Sequence, residues 1–472
     1  MLPLDSPIFA DIIVYKLHKV KSGVKMSLFD RQRLTNETFK LDIERMRRGW
    51  YTDKYFTNIA TMLTALSQQN YLYQGKESLL PKNIPSDQIA CGDIEVEMQW
   101  FTRRPGSTIV VGVDKALTML KHATGYFDGN EFINTADKLE VWAIQDGCKV
   151  ASQGDPMNIL PVIKVRGRYR DFAILETPTL GILTRASRVA TNVYDTLISA
   201  RGKPILFFPA RFDAHEVQAA DGYAYNIAVQ RFNMDYAGTL GPFVSTDAQG
   251  DWWGGAGGGT VAHAAIACFL GDTAEAMLAF AQVLPVNIPR IALVDFNNDC
   301  VKDSLMVCKA MFKKYKALLE SKQLDEAERY KLYGVRLDTS GSLRDNSVTP
   351  LGDPALDLGV TPRLVFNVRQ ALDSAWEAWD LSPEWCDIAR QYCQAVKIVI
   401  SGGFNPERIT RFERLKVPAD IYAVGSALFN NNGPTVTDFT ADVVRIKVQG
   451  EWVDLAKVGR RPCDNPDLER VW

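Results

Sequence analysis

A chain of 472 residues is too long for one simple core and points to two domains. Hydrophobic residues at 46% and charged residues at 23% fall in the ordinary water-soluble range. A formal charge of -2 argues against a general nucleic-acid or anionic-membrane surface, and no uninterrupted apolar run reaches membrane length.

The amino terminus, M-L-P-L-D-S-P-I-F-A-D, lacks a basic region followed by an apolar core, so a cytoplasmic protein is expected. Further on, an aromatic knot of Trp50, Tyr51, Tyr55 and Phe56 leads into a predicted helix over 53–66, with Asp53 as its cap. From Asp93 the pattern changes to short alternating runs with glycine-containing turns. I-E-V-E-M-Q-W-F, T-I-V-V-G-V, L-E-V-W-A-I and P-V-I-K-V-R-G read as strands of a small β-rich domain ending near Gly167. Helices over 114–122 and 174–200 flank it, the second bridging into the next domain.

From Lys203 onward, apolar runs of four to seven residues alternate with helices over 302–330, 363–379, 382–396 and 405–415. Ser382 and Asn405 each stand as a capping side chain before a proline at the first helical position. Repeated strand–helix units call for a parallel sheet. Five runs share one layout, an apolar strand with a charged or glycine-rich tip: 203–211, 290–296, 333–341, 397–403 and 421–427. Tips on so many strands favour a barrel over an open doubly wound sheet, because the site then draws on many strand ends. No G-x-G-x-x-G opens a helix after the first strand. After Phe429 alternating strands return, separated by a hairpin-like Gly450-Glu451, and are expected to pack back on the β-rich domain. The expected division is 1–170, 171–430 and 431–472.

The chemistry is read from the tips. Arg336 and Asp338 lie two apart and share one side of their strand. Arg211 ends its strand three residues after Phe208, and a guanidinium beside a ring fits a planar anionic ligand. Gly402-Gly403 and Gly425-Ser426 follow successive strands, where small residues let backbone amides approach an oxygen-rich anion. Asp295 is placed to hold magnesium or ribose hydroxyls, and Asp299 to cap the next helix. Four histidines occur, at 18, 122, 215 and 263; His263, in G-G-G-T-V-A-H-A, opens an apolar helix and reads as catalytic or phosphate-contacting. The eight cysteines show no C-x-x-C pair and read as reduced thiols, with a zinc site at Cys386, Cys393 and Cys463 as the alternative. There is no H-E-x-x-H, G-x-S-x-G or P-loop, which removes those classes.

Y-T-D-K-Y-F, Q-W-F-T-R-R-P-G, L-E-T-P-T-L-G-I-L, G-T-V-A-H-A, L-V-D-F, G-V-R-L-D-T, I-S-G-G-F and V-G-S-A-L-F occur in an order that resembles nicotinate phosphoribosyltransferase, within the nicotinate, nicotinamide and quinolinate group. The resemblance spans roughly residues 51–461 and implies an α/β fold: an incomplete TIM-like barrel with a discontinuous β-rich domain built from both termini. It implies that His263 is phosphorylated when ATP hydrolysis is coupled to the reaction. Phe208 would stack on the pyridine and Tyr55 of a neighbouring subunit would cover its other face, in a homodimer with shared sites. Arg211 would serve the base and pyrophosphate, Asp338 the ribose hydroxyls with Arg336 beside it, and Gly402, Gly403, Gly425 and Ser426 the 5′-phosphate.

Two departures from the resemblance stand out. T-S-G-S-L-R follows R-L-D where S-G-D is usual, which unsettles Ser340 and Arg344. The crossover between Asp221 and Gly259 is lengthened, as a mobile lid or a rearranged base-binding wall, with Asp235 in the acidic place near the base. The implied reaction joins nicotinate to 5-phosphoribosyl-1-pyrophosphate with Mg²⁺ and ATP; nicotinamide, quinolinate or another phosphorylated sugar are the alternative substrates.

Overall fold

The computed structural model describes residues 28–76, 78–81 and 84–472, so the amino-terminal reading and His18 lie outside the described residues. Seven strands precede residue 170: β1 (Glu95–Thr102), β2 (Gly106–Ile109), β3 (Gly125–Asp128), β4 (Glu131–Asn134), β5 (Glu140–Ala143), β6 (Lys149–Ser152) and β7 (Ile163–Arg168). Five short ones are spaced by helices: β8 (Ile205–Phe207), β9 (Ile291–Leu293), β10 (Gly334–Leu337), β11 (Lys397–Ile400) and β12 (Ile421–Val424). Three more follow, β13 (Phe439–Val448), β14 (Glu451–Asp454) and β15 (Glu469–Arg470). The fold is mixed α/β.

One sheet is antiparallel, in the order β14-β13-β1-β7-β5-β15. Its central strand β1 pairs with β7 on one side and with β13, from the far end of the chain, on the other. Alternation sets its two faces. Val96, Met98 and Trp100 enter a core with Val141, Ile163 and Val165. On the other face Glu97 stands in register with both Arg166 and Arg445 and accepts from each, at 2.6 and 2.9 Å. Lys447 pairs with Glu95 at 3.1 Å, and Arg445 with Asp454 at 2.8 Å. β13 turns into β14 through Gln449 and Gly450, with φ of 51° and 88°, the two-residue geometry that suits strand twist.

The helix Glu176–Ser199 bridges the two halves, with Pro178 tolerated in its first turn. Its small hydroxyls satisfy polar groups of the β-rich part. Thr179 Oγ1 accepts from Trp100 Nε1 (3.1 Å), while Ser187 and Thr191 accept from the Val111 and Ile109 amides (both 3.0 Å).

The second sheet is parallel, in the order β8-β12-β11-β10-β9. The first of these strands in sequence therefore lies beside the last. Leu206 of β8 and Ile291 of β9, from its two edges, share one small apolar cluster with Val399, Ile421 and Ala423, so the sheet curls round a concave face. The opposite faces of the strands pack on helices in the largest core, with Val335, Leu337, Ile398, Ile400 and Tyr422 fully buried.

Residues 235–259 form a wall rather than a loose lid. Val244 makes a parallel bridge to Phe207, adding a sixth extended segment beside β8. Thr246 and Gln249 close a capping box over Asp247–Gly250, and Trp252 sits edge-on to Phe39 at 5.0 Å.

Local expectations also shift. The helix expected over 302–330 breaks into Cys300–Glu320 and Leu324–Glu328, where Lys322 turns to φ 58°. Asp299 and Asn405 cap their helices, accepting from the Lys302 (3.0 Å) and Arg408 (2.8 Å) amides. Asp53 does not cap Lys54–Gln68; its carboxylate instead takes the Thr177 hydroxyl at 3.1 Å. Ser382 makes no side-chain cap either. Cys393 faces Cys308 across 3.8 Å, while Cys463 packs with Phe101 and Ile159, so the zinc alternative loses its geometry. Among the described residues no helix is long and apolar enough to cross a membrane.

Candidate active site at the carboxyl edge of the parallel sheet

Parallel strands deliver all their carboxyl ends to one edge, the place where α/β sheets bind ligands. Read along that edge in sheet order, the tips are Val244 to Asp247, Phe208 to Arg211, Gly425-Ser426, Ser401 to Gly403, Asp338, and Asp295. Backbone bonds hold the tips in step: the Phe208 amide donates to Val424 O, Ser401 to Leu337 O, and Val294 to Arg336 O, at 3.0, 3.0 and 3.2 Å.

The floor below is apolar, made by the concave cluster with the half-buried Phe208 and Phe243, whose ring centroids are 6.2 Å apart. Arg336 pairs in register with Val399 of that cluster, so its side chain shares the concave face. Its Nε is buried and has no hydrogen-bond partner among the described residues. Burial lowers the pKa of Arg336, Asp338 and Asp295 oppose that shift, and the Arg211 charge adds to it. A guanidinium held this way has donor capacity left for a ligand.

Asp338 is steadied by Ser401, whose Oγ donates to Asp338 Oδ1 at 2.8 Å. One strand further, Asp295 lies against His263, with Nε2 at 3.1 and 3.0 Å from its two oxygens. Two carboxylate oxygens only accept, so the proton sits on Nε2 and leaves Nδ1 free to act as base or nucleophile. Burial raises the Asp295 carboxyl; His263 offsets part of this and the Asp338 charge adds to it. His263 itself opens the short helix His263–Cys268 and is half-exposed, as a group that meets a ligand must be.

The glycines have distinct reasons. Gly402 and Gly403 take φ of 87° and 71°, so consecutive amides turn outward in a conformation other residues resist. Arg408 braces this loop, donating to Gly402 O and Val360 O at 2.7 Å each, with its guanidinium 4.1 Å from the Phe404 ring. Gly425 is needed for space, since a Cβ there would lie 2.6 Å from the Phe212 ring. Ser426 follows at the start of the turn Ser426–Phe429. Arg211 is exposed, 5.5 Å from the Phe212 ring.

Two named residues stand elsewhere. Asp235 ends the helix Gln218–Tyr236, bound to Arg231 (2.9 Å) and the Tyr194 hydroxyl, with Lys149 at 3.8 Å. Tyr55 is exposed on Lys54–Gln68, its ring against Phe56 and its hydroxyl 3.3 Å from Asp53. His215 is also exposed, beside Glu216. Sequence reasoning missed Ser401, Arg408 and Asp247. Asp247 was findable, because F-V-S-T-D repeats the layout of an apolar run with a charged tip.

A family model described as quinolinate phosphoribosyl transferase, N-terminal domain, matches residues 84–187, the span of β1 to β7 and the start of the bridging helix. Nicotinate-nucleotide pyrophosphorylase from Pyrococcus furiosus superposes with a TM-score of 0.59 at 24% identity, covering 91% of this chain and 81% of that one. Human nicotinic acid phosphoribosyltransferase superposes with a TM-score of 0.53 at 16% identity, over 85% of this chain and 76% of that one. The chain is thus similar to the quinolinate phosphoribosyl transferase N-terminal domain over residues 84–187, and it shares the fold of these two solved structures.

Proposed function

We propose that the chain, a phosphoribosyltransferase by this kinship, joins nicotinate to 5-phosphoribosyl-1-pyrophosphate, giving nicotinate mononucleotide and pyrophosphate. The observation that carries this reading is the order of groups along one edge: an outward-turned glycine pair, then Asp338, then the Asp295–His263 pair, over an apolar floor with Arg336 and Phe208. In this reading the curled sheet is an incomplete barrel, and the antiparallel sheet from both ends of the chain is its companion domain.

The pyridine nitrogen uses its lone pair to form the bond to ribose C1 as the bond to pyrophosphate breaks and the pyrophosphate oxygen keeps the electron pair. No general base is required, since that nitrogen carries no proton. The protein supplies alignment and opposite charge. Asp338, pinned by Ser401, faces the ribose hydroxyls and the positive charge that develops on the sugar. Gly402, Gly403, Gly425 and Ser426 offer backbone amides to the 5′-phosphate. Phe208 stacks the ring, while Arg211 and Arg336 offset carboxylate and pyrophosphate charge.

Asp295 or Asp338, together with substrate phosphates, would hold a Mg²⁺. Bound there, Mg²⁺ would neutralise pyrophosphate charge. His263 presents Nδ1 to the γ-phosphate of ATP, and a phosphoryl group on it would organise pyrophosphate binding. Exposed Trp50 (68%) and Tyr55 (57%), and Leu270 (98%) beyond the His263 helix, are surfaces that a second copy would cover in a dimer with shared sites.

Asp247 favours a second reading. It follows the strand beside Phe208 and accepts the Gly257 amide at 2.8 Å, and an acidic acceptor at the base suits the amide of nicotinamide over a carboxylate. The test is incubation with phosphoribosyl pyrophosphate and each of nicotinate, nicotinamide and quinolinate, following pyrophosphate and mononucleotide. Nicotinate is expected to give the highest kcat/KM, with ATP stimulation lost in His263→Ala. Turnover with nicotinamide alone moves the reading to Asp247, and no turnover with any base overturns it.

A further inference from the structure

A second concavity lies away from the strand edge. It is a cavity of about 270 Å³ between residues 28–34, the turn after β5, the helix Gln218–Tyr236 and the Trp252–Trp253 stretch of the wall. Three carboxyls line it, Asp30, Asp114 and Asp146. Asp146 is buried and accepts from the Val113 amide (2.9 Å) and the Tyr223 hydroxyl (3.1 Å). Asp114 accepts from Arg33 Nη1 and the Leu34 amide, both at 2.8 Å. Burial, then the Asp114 charge, pushes Asp146 up to about 7. Near neutrality Asp146 is therefore partly protonated, and Asp114 is matched by Arg33. This lining is rich in hydrogen-bond acceptors. Gln230 also lines the cavity, and its side-chain amide has no hydrogen-bond partner among the described residues. Indole and phenyl surfaces of Trp252, Trp253 and Phe29 make the walls.

The mouth differs in charge. Arg33 also lines an adjoining basin with Arg31, Glu469 and Arg470. Arg31 is 82% exposed and comes no nearer to Glu469 than 3.9 Å. Arg470 makes no ion pair with a described residue and rests 5.8 Å from the Trp142 ring. Nothing in the proposed transfer reaction uses any of these groups.

We infer that this cavity binds a nucleoside monophosphate, with a planar, amino-bearing base on the tryptophan wall and its phosphate in the arginine basin. The volume, just below the roughly 300–1,000 Å³ of ligand pockets, holds a base with its sugar and excludes a dinucleotide. Carboxyl oxygens recognise exocyclic N–H donors, aromatic walls accept a π-face, and guanidinium forks grip phosphate. The occupant would also bear on the strand edge. Trp253 Nε1 donates to Gln249 O (2.8 Å), and the Gly258 amide donates to Val244 O (2.8 Å), within the wall that places Phe243 beside Phe208. The ligand therefore acts as an effector that shifts KM for the base.

Calorimetric titration of the full chain with adenosine 5′-monophosphate, adenosine and inorganic phosphate tests this. Saturable binding of the monophosphate is expected, with adenosine weaker and phosphate alone absent. Arg470→Glu should weaken the monophosphate about tenfold, the loss of one charge-assisted hydrogen bond, while leaving adenosine binding and basal turnover unchanged. Gln230→Leu should weaken both nucleosides. Saturating phosphoribosyl pyrophosphate should not displace the monophosphate. Absence of saturable binding, displacement by phosphoribosyl pyrophosphate, or unchanged affinity in both variants overturns the proposal. These binding outcomes stand whether or not any pyridine is turned over, so the two readings fail separately.

Discussion

The two sheets treat charge in opposite ways. In the antiparallel sheet Glu97, fully buried, is held by two arginines from two neighbouring strands, and Lys447–Glu95 and Arg445–Asp454 continue the ladder. Each charge meets a cross-strand partner set by register, so the network is complete without a ligand. At the carboxyl edge of the parallel sheet the account stays open. Arg336 is half-buried, with an Nε that has no hydrogen-bond partner among the described residues, and Arg211, beside the Phe212 ring, makes no ion pair among them. Charge that is paired by register supports the fold; charge that is buried without a full set of partners is available to a ligand.

The sharpest way to break this comparison is to exchange the effects. Asp338→Asn should lower kcat by about 10²–10³-fold, with little change in Tm, as expected when charge stabilisation of a transition state is lost. Glu97→Ala should do the reverse. It removes the buried anion shared by Arg166 and Arg445, leaving each only its more exposed partner, Glu140 or Asp454, and costs about 3–5 kcal/mol in denaturant unfolding, with KM unaltered in the protein that remains folded. A Glu97 variant as stable as the parent, or an Asp338 variant that loses stability in proportion to activity, would dissolve the distinction.

Smaller effects refine it. Asn405→Ala removes the cap behind the glycine nest and should cost about 1 kcal/mol, while also raising KM for phosphoribosyl pyrophosphate; Asp53→Ala, whose side chain caps nothing, should leave its helix intact by circular dichroism. Glu176 supplies a pH test. Burial, with Asp442 and Asp53 nearby, raises its carboxyl to about 8 from an ordinary 4.5. The folded chain thus keeps a proton that the unfolded chain releases, so this stability is whole below pH 4.5 and is lost as pH rises through about 8. Glu176→Gln should therefore gain Tm over the parent at pH 8.5 and not at pH 4.5.

Much of this was legible because strands with one buried face write their pattern in period two, and because Gly402 and Gly403 stand where no other residue sits easily. The Val244 segment escaped notice since G-P-F-V-S-T is short and opens with two turn residues, so its pairing with Phe207 is a tertiary fact. That omission also explains why Asp235 was named and Asp247, which follows the segment bridged to Phe207, was not. Asp53 and Ser382 look like caps by type, yet Asp53 is drawn to Thr177, more than a hundred residues away, a contact no local rule contains. Ser401 and Arg408 act on their neighbours, through an oxygen and a carbonyl, and residue type alone announces neither role.

The pairing of β8 with β12, and of β1 with β13, has a consequence for synthesis. Neither sheet is finished until residues beyond 421 have left the ribosome, and Glu95 must wait for Lys447. Closing such long loops is slow, and raw strand edges persist meanwhile. A chain stopped short of Phe439 would hold all five parallel strands yet lack β13, β14 and β15, so the edges of β1 and β5 are the last to be covered.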